Sequence, residues 1–151
     1  MKLHHSAICT NDVDESLRFW RDGIGFAVQF DHRFEGDWPT LFGADGSELR
    51  SVFLGDPADH DSGIVELVDF GTPAPGDPVV DAPRRGFFLL SVFADLEEVL
   101  SRLRNLGLGG EPRRIDVGGT RLAVVRDPND VLVEVIDAGA QANLDRMGTR
   151  R

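Results

Sequence analysis

Two glutamates stand where strand-forming sequence would ordinarily be apolar. Glu66 lies within Ile64-Val65-Glu66-Leu67-Val68, and Glu134 within Leu132-Val133-Glu134-Val135-Ile136. A carboxylate withdrawn from water is costly unless a partner or a metal ion meets it. Strand alternation puts Glu66 on the face of Ile64 and Val68, and Glu134 on the face of Leu132 and Ile136. If both side chains enter one cavity, they suit holding a divalent cation or taking a proton from a substrate carbon. A solvated sheet face, or pairing with arginines such as Arg50 and Arg114, is the alternative these residues leave open. His5 adds a neutral imidazole, the commonest nitrogen ligand for zinc, nickel or iron, although a strand histidine is also often simply packed. Alternation places His4 and His5 on opposite faces, so one of them at most enters the cavity. His32 and His60 fall in polar loops and are expected to be exposed.

Other chemistries lack their residues. No serine sits in a G-x-S-x-G elbow, and there is no P-loop and no G-x-G-x-x-G after a strand. Gly107-Leu108-Gly109-Gly110 ends a helix rather than opening one, so it presents no helix N-terminus to a phosphate.

The elements that must position Glu66, Glu134 and His5 follow from patterning. Residues 3–9 read as a strand. Asn11 or Asp12 caps a helix over 13–22, with Leu17 and Trp20 on its apolar face and Gly23 and Gly25 ending it. Strands are expected near 26–30, 40–42, 49–54 and 63–70. After a Pro- and Gly-rich stretch the pattern restarts. It gives a strand over 87–93, a helix from Asp95 through Leu106, and strands near 113–117, 120–125 and 132–136. The helix over 95–106 turns Leu96, Val99, Leu100 and Leu103 to one side.

The two halves overlay as a repeat. Asp12-Val13-Asp14-Glu15-Ser16-Leu17 matches Asp95-Leu96-Glu97-Glu98-Val99-Leu100, and residues 64–71 match 132–139. The expected organisation is a βαβββ module over 1–71, a linker over 72–85, a second βαβββ module over 86–138, and a loose tail over 139–151.

With 151 residues, 41% hydrophobic, the chain is long enough for two tightly fused half-domains with a proper core. A net charge of −10 repels phosphate backbones and anionic lipid headgroups, so neither nucleic acid nor a membrane surface is an expected partner. Cys9 is the single cysteine, which rules out an intrachain disulfide and fits a reducing compartment. It is expected to be a buried structural thiol. No apolar run approaches the roughly 20 residues of a membrane span, and residues 1–5 lack a signal-peptide core. A cytoplasmic protein is the expectation.

Several motifs together carry a resemblance. They are Leu3-His4-His5-Ser6-Ala7-Ile8, then Asn11-Asp12, Ser16-Leu17, Phe19-Trp20 and Gly23-Ile24-Gly25-Phe26, then Ile64-Val65-Glu66-Leu67. Gly118-Gly119-Thr120 and the run from Asp127 to Glu134 complete the set. In this order and spacing the chain resembles the vicinal oxygen chelate superfamily, which includes glyoxalase I, methylmalonyl-CoA epimerase, extradiol dioxygenases and bleomycin-resistance proteins. The resemblance spans residues 3–137. It implies an α+β fold of two tandem βαβββ modules whose mixed sheets curl into a cup around a divalent metal (Ni, Zn, Mn, Co or Fe). Metal ligands would come from the first and last strands of each module. By position these are His5, Glu66 and Glu134. The remaining position falls on Phe87 by the preceding glycine, or on Phe88 by the internal repeat, and phenylalanine cannot ligate. That departure disfavours ring-cleaving dioxygenase chemistry, which needs a histidine there.

The activity implied is a glyoxalase-I-like lyase or isomerase. Glu134, with Glu66, would move a proton beside a metal-bound carbonyl or enediolate of a small-molecule substrate. The alternative is a small-molecule-binding protein of the bleomycin-resistance type. Self-association as a homodimer is implied as well. Trp38, Phe42 and Phe53 are candidate pocket walls, with core packing as the ordinary role for each.

Overall fold

The computed structural model describes residues 3–59, 62–76, 83 and 85–140. His60, half of the expected linker and nearly all of the expected tail lie outside the described residues. The chain divides into two compact units, Met1–Pro78 and Val79–Arg151.

In the first unit, β1 (His5–Cys9) leads into α1 (Val13–Leu17). Three strands follow: β2 (Ala27–Glu35), β3 (Glu48–Gly55) and β4 (Ile64–Asp69). They form an open four-stranded sheet in the order β1-β4-β3-β2. The β1–β4 pair is parallel, whereas β3 runs antiparallel to both β4 and β2. The Asp12 carboxylate accepts from the Glu15 N–H and caps α1. The expected single helix over 13–22 instead passes into a π-helical segment, Arg18–Ile24, which ends where Gly25 takes φ 103°. Phe19 and Trp20 in that segment are fully buried. They pack under Val52, Leu54, Val65 and Leu67, the side of the sheet that faces the helix.

The expected strand over 40–42 is a short helix, α2 (Trp38–Phe42). Asp37 caps it by accepting from the Thr40 N–H, Pro39 sits in its first turn, and Gly43 closes it at φ 72°. Those three signals outweigh the strand preference of Thr40 and Phe42. Gly36 is required just before it, because a Cβ there would lie 2.7 Å from the Trp38 ring.

The second unit repeats the plan. It runs β5 (Leu89–Ala94), α3 (Leu96–Leu106), β6 (Gly109–Val117), β7 (Thr120–Arg126) and β8 (Leu132–Asp137). Its open sheet has the order β5-β8-β7-β6, with β5 and β8 parallel. Asp95 caps α3, and Leu96, Val99, Leu100 and Leu103 are buried as their spacing requires. They cover Ala123, Val125, Val133 and Val135. No helix among the described residues is long and apolar enough to cross a membrane.

Each sheet therefore has one face under a helix and one open face. Cys9 sits on the open face of the first sheet and is exposed, which corrects the expectation of a buried thiol. Partial burial, then the nearby Asp69 carboxylate, raises its pKa.

Two stability predictions follow from this packing. Replacing the fully buried Trp20 by alanine removes the largest side chain of the first core and should cost roughly 3–5 kcal/mol in urea denaturation. On the helix side, Arg50 donates twice to Asp31, at 3.0 and 2.8 Å. That pairing holds the Asp31 carboxyl below the usual carboxylate range. A depressed carboxyl contributes stability above its unfolded pKa of about 3.9 and loses it as pH falls through the folded value. Asp31 is 39% exposed, so solvent screening limits the contribution to below about 1 kcal/mol. The gap between wild type and Asp31→Asn should be present at pH 7 and close on acidification below pH of about 4.

Candidate functional site

In the first unit the parallel register sets Ala7 beside Glu66 and His5 beside Ile64. His5, Ala7 and Glu66 thus share the open face, and the imidazole reaches diagonally to the carboxylate. His5 Nε2 lies 3.0 Å from Glu66 Oε2. The other carboxylate oxygen, Oε1, accepts from Ser51 Oγ at 2.5 Å. Ser51 arrives from β3, where it pairs with Val68, and is 3% exposed. The Glu66 side chain is 12% exposed and that of His5 is 35% exposed, so the pair is open to a small molecule from one side.

His4 precedes the strand and escapes its alternation. Its Nδ1 lies 2.7 Å from Nδ1 of His5, and its ring meets Phe53 at 5.8 Å. Both imidazoles therefore lie on the Phe53 side, against the expectation of opposite faces. With neutral rings, a proton on His5 Nε2 points to Glu66 while His4 Nδ1–H donates to His5 Nδ1. The other tautomer of His5 would donate from Nδ1 to His4 and set the Nε2 lone pair against the Glu66 carboxylate, so the Nε2–H tautomer is the one this geometry favours.

In the second unit Glu134 occupies the same place in β8 that Glu66 occupies in β4. Its β5 neighbour is Ser91, whose Oγ donates to Glu134 Oε2 at 2.6 Å. The residue two before Ser91 is Leu89, paired with Leu132 just as His5 pairs with Ile64. The counterpart of His5 is therefore Leu89, not Phe87 or Phe88. The cause is a shorter connection. His5 stands seven residues before the cap Asp12, whereas Leu89 stands six before the cap Asp95. An overlay anchored on the helix caps is consequently one residue out along the strand, which switches faces. The chemical outcome stands, since leucine offers no donor either.

Ser51 and Ser91 are the functional-site residues that patterning did not single out. Their signal in the sequence is a hydroxyl at the edge of Val52-Phe53-Leu54 and within Leu89-Leu90-Ser91-Val92-Phe93, on the glutamate's own face. Arg50 and Arg114, the alternative partners for the glutamates, are engaged elsewhere, Arg50 with Asp31 and Arg114 with Glu97.

Phe53 pairs with Glu66 across β3–β4 and its ring lies 5.3 Å from that of His5. Phe42 is 60% exposed and meets Trp38 at 5.9 Å and Phe70 at 5.9 Å. None of Trp38, Phe42 and Phe53 belongs to the buried core. His32 lies within β2, not in a loop, and its ring is 4.9 Å from Phe34.

Within the first unit the imidazole nitrogen of His5 and the carboxylate of Glu66 are donors that suit a divalent ion of borderline softness. No group of three or more His, Cys, Asp or Glu side chains that could hold a metal ion occurs among the described residues.

Known proteins share this architecture. A lactoylglutathione lyase-like protein of Aspergillus terreus, terB, is 35% identical over 146 residues, covering 89% of this chain and 74% of that protein. Among solved structures, a glyoxalase family protein of Bacillus cereus superposes with a TM-score of 0.74 at 20% identity, over 91% of this chain and 93% of the other. The trypanothione-dependent glyoxalase I of Leishmania major gives 0.65 at 19% identity, over 99% of each chain. The family model for the glyoxalase/bleomycin resistance protein/dioxygenase superfamily matches residues 2–135. The chain, with its two open βαβββ sheets, belongs to that superfamily.

Proposed function

We propose that the chain is a metal-dependent lyase or isomerase of the glyoxalase I type, acting on a small molecule. The observation that carries this reading is the repeated strand glutamate with a serine hydroxyl on one oxygen, joined in the first unit by an imidazole 3.0 Å away. His5, Glu66 and Glu134 would hold the ion, which when bound supplies polarisation of a substrate carbonyl. Ser51 holds the Glu66 carboxylate in one orientation, and Ser91 does the same for Glu134. Glu134 has one oxygen free of that hydrogen bond and is the better placed to take and return a proton on the carbon beside the carbonyl. Leu89 leaves one ligand position without a protein donor, which a substrate oxygen or water would fill. A homodimer and a cytoplasmic setting belong to the same reading.

A second reading, a binding protein of the bleomycin-resistance type that needs no metal, is favoured by Leu89 alone.

Thermal melts decide between them. With Ni, Zn, Mn or Co at about 100 times its dissociation constant, a bound ion should stabilise the fold by roughly 2.7 kcal/mol. His5→Ala and Glu66→Gln should each abolish that shift. Glu134→Gln should lower solvent-proton exchange at a substrate carbon by about 10²–10⁴-fold. A metal-free preparation with no shift for any ion would leave the binding reading.

A further inference from the structure

The open face of the first unit carries a row of rings that begins at the His5–Glu66 pair. Phe53 is 5.3 Å from His5 and 5.6 Å from Phe30, and Phe30 is stacked with Phe34 at 5.9 Å and 24°. Phe30 and Phe34 remain 41% and 39% exposed. The alternation of β2 explains the row: Phe30, His32 and Phe34 point to the open face, while Asp31 and Arg33 point to the helix side. β2 is the edge strand and is exposed along most of its length, so Asp31 and Arg33 keep their water on one side while the rings occupy the other. Contiguous exposed rings running from a polar pair mark a ligand surface.

Two further features narrow the ligand. No lysine or arginine occupies a strand position on this face among the described residues, since Arg33 and Arg50 alternate away and Arg50 is held by Asp31. A substrate bearing several carboxylates or phosphates would find no counter-charge here. The open face of the second unit also exposes apolar side chains, Phe93, Ile115 and Val117. The phenylalanine rings of the second unit, Phe87, Phe88 and Phe93, are exposed as well, but none of them meets another ring among the described residues. The ring row is a property of the first unit and adjoins its imidazole.

We propose that this face selects a flat, uncharged aromatic substrate carrying an oxygen substituent at one end, its ring over Phe53 and Phe30 and its oxygen at His5 and Glu66. Phe30, Phe34 and Phe53 are then the specificity-determining residues. Ring-on-ring contact adds attraction beyond the area buried, through complementary ring edges and faces. The inference rests on the reading of His5 and Glu66 as the reacting end of the site, and it extends that reading to the substrate.

The test uses two neutral ketones of similar outline, 2-acetonaphthone and its fully saturated analogue 2-acetyldecalin, titrated calorimetrically into the full chain. The saturated ketone has the greater aversion to water, so plain apolar burial would favour it. The proposal expects the aromatic ketone to bind about tenfold more tightly, the effect of one or two ring pairs. Phe30→Leu and Phe53→Leu keep an apolar side chain and should erase the preference. Equal binding, tighter binding of the saturated ketone, or no binding of either overturns the proposal. So does a Phe30→Leu variant that changes only the oligomeric state by light scattering, since the rings would then serve a second copy of the chain. Metal melts of the wild type, run beside the ketone titrations, separate the two readings. A ring preference that persists while metal-induced stabilisation is missing from the wild type sinks the metal-dependent reaction and leaves the substrate class. Metal-induced stabilisation without ring preference sinks the substrate class alone.

Discussion

A carboxylate in the middle of a sheet must be met on its own face, because backbone donors within the sheet are committed to the ladder. Glu66, at 12% side-chain exposure, is met by His5 Nε2 and Ser51 Oγ, one on each oxygen. Hydrogen bonds to a charged group contribute roughly 1.5–3 kcal/mol each, comparable with what partial burial of the charge costs. Three strands are needed to bring these partners together: β4 carries the carboxylate, β1 the imidazole and β3 the hydroxyl. The order β1-β4-β3 is the arrangement that sets both partners beside it. The parallel β1–β4 pair is in turn what obliges the chain to cross over through α1, so the helix and its core serve that strand order.

The same constraint explains what could be read in the sequence. A glutamate among β-branched residues is conspicuous whether or not its partners are visible, so Glu66 and Glu134 stood out. The duplication was visible because capping chemistry recurs at Asp12 and Asp95 and the closing strands match. What escaped is distance between elements. The missing residue between β5 and Asp95 leaves the helix pattern untouched, yet it moves the counterpart of His5 from Phe88 to Leu89. Periodicity registers residues within an element, and only pairing registers one element against another.

Other misreadings have similar local causes. Thr40-Leu41-Phe42 has strand-like composition, but Asp37, Pro39 and Gly43 supply a start, a first turn and a stop for a helix. Cys9 follows the buried Ile8, and alternation sends its thiol to the open face. Alternation does not reach His4, because the strand begins only at His5. Composition alone decides none of the three: capping chemistry sets the element at Thr40, alternation sets the side of Cys9, and the strand boundary frees His4.

The two units share a glutamate and a serine but differ in what surrounds them. In the first, an imidazole and a line of rings adjoin the carboxylate. In the second, Leu89 takes the place of the imidazole, and β5 itself supplies the hydroxyl. Ser51 and Ser91 approach their glutamates from opposite neighbours, β3 in one unit and β5 in the other. The β1 position that Ser91 matches is Ala7, which has no hydroxyl to give. Leaving that place small keeps the Glu66 oxygen next to β1 free for His5. Placing serine at the equivalent position spends the corresponding Glu134 oxygen, and Leu89 offers nothing that would compete for it. The two carboxylates are therefore tuned differently by one strand each: Glu66 is tied to a nitrogen base, whereas Glu134 keeps an oxygen without a partner from β5. On the proposed reading that difference assigns the roles, with Glu66 as the fixed ligand and Glu134 as the group with a lone pair to spare for a proton.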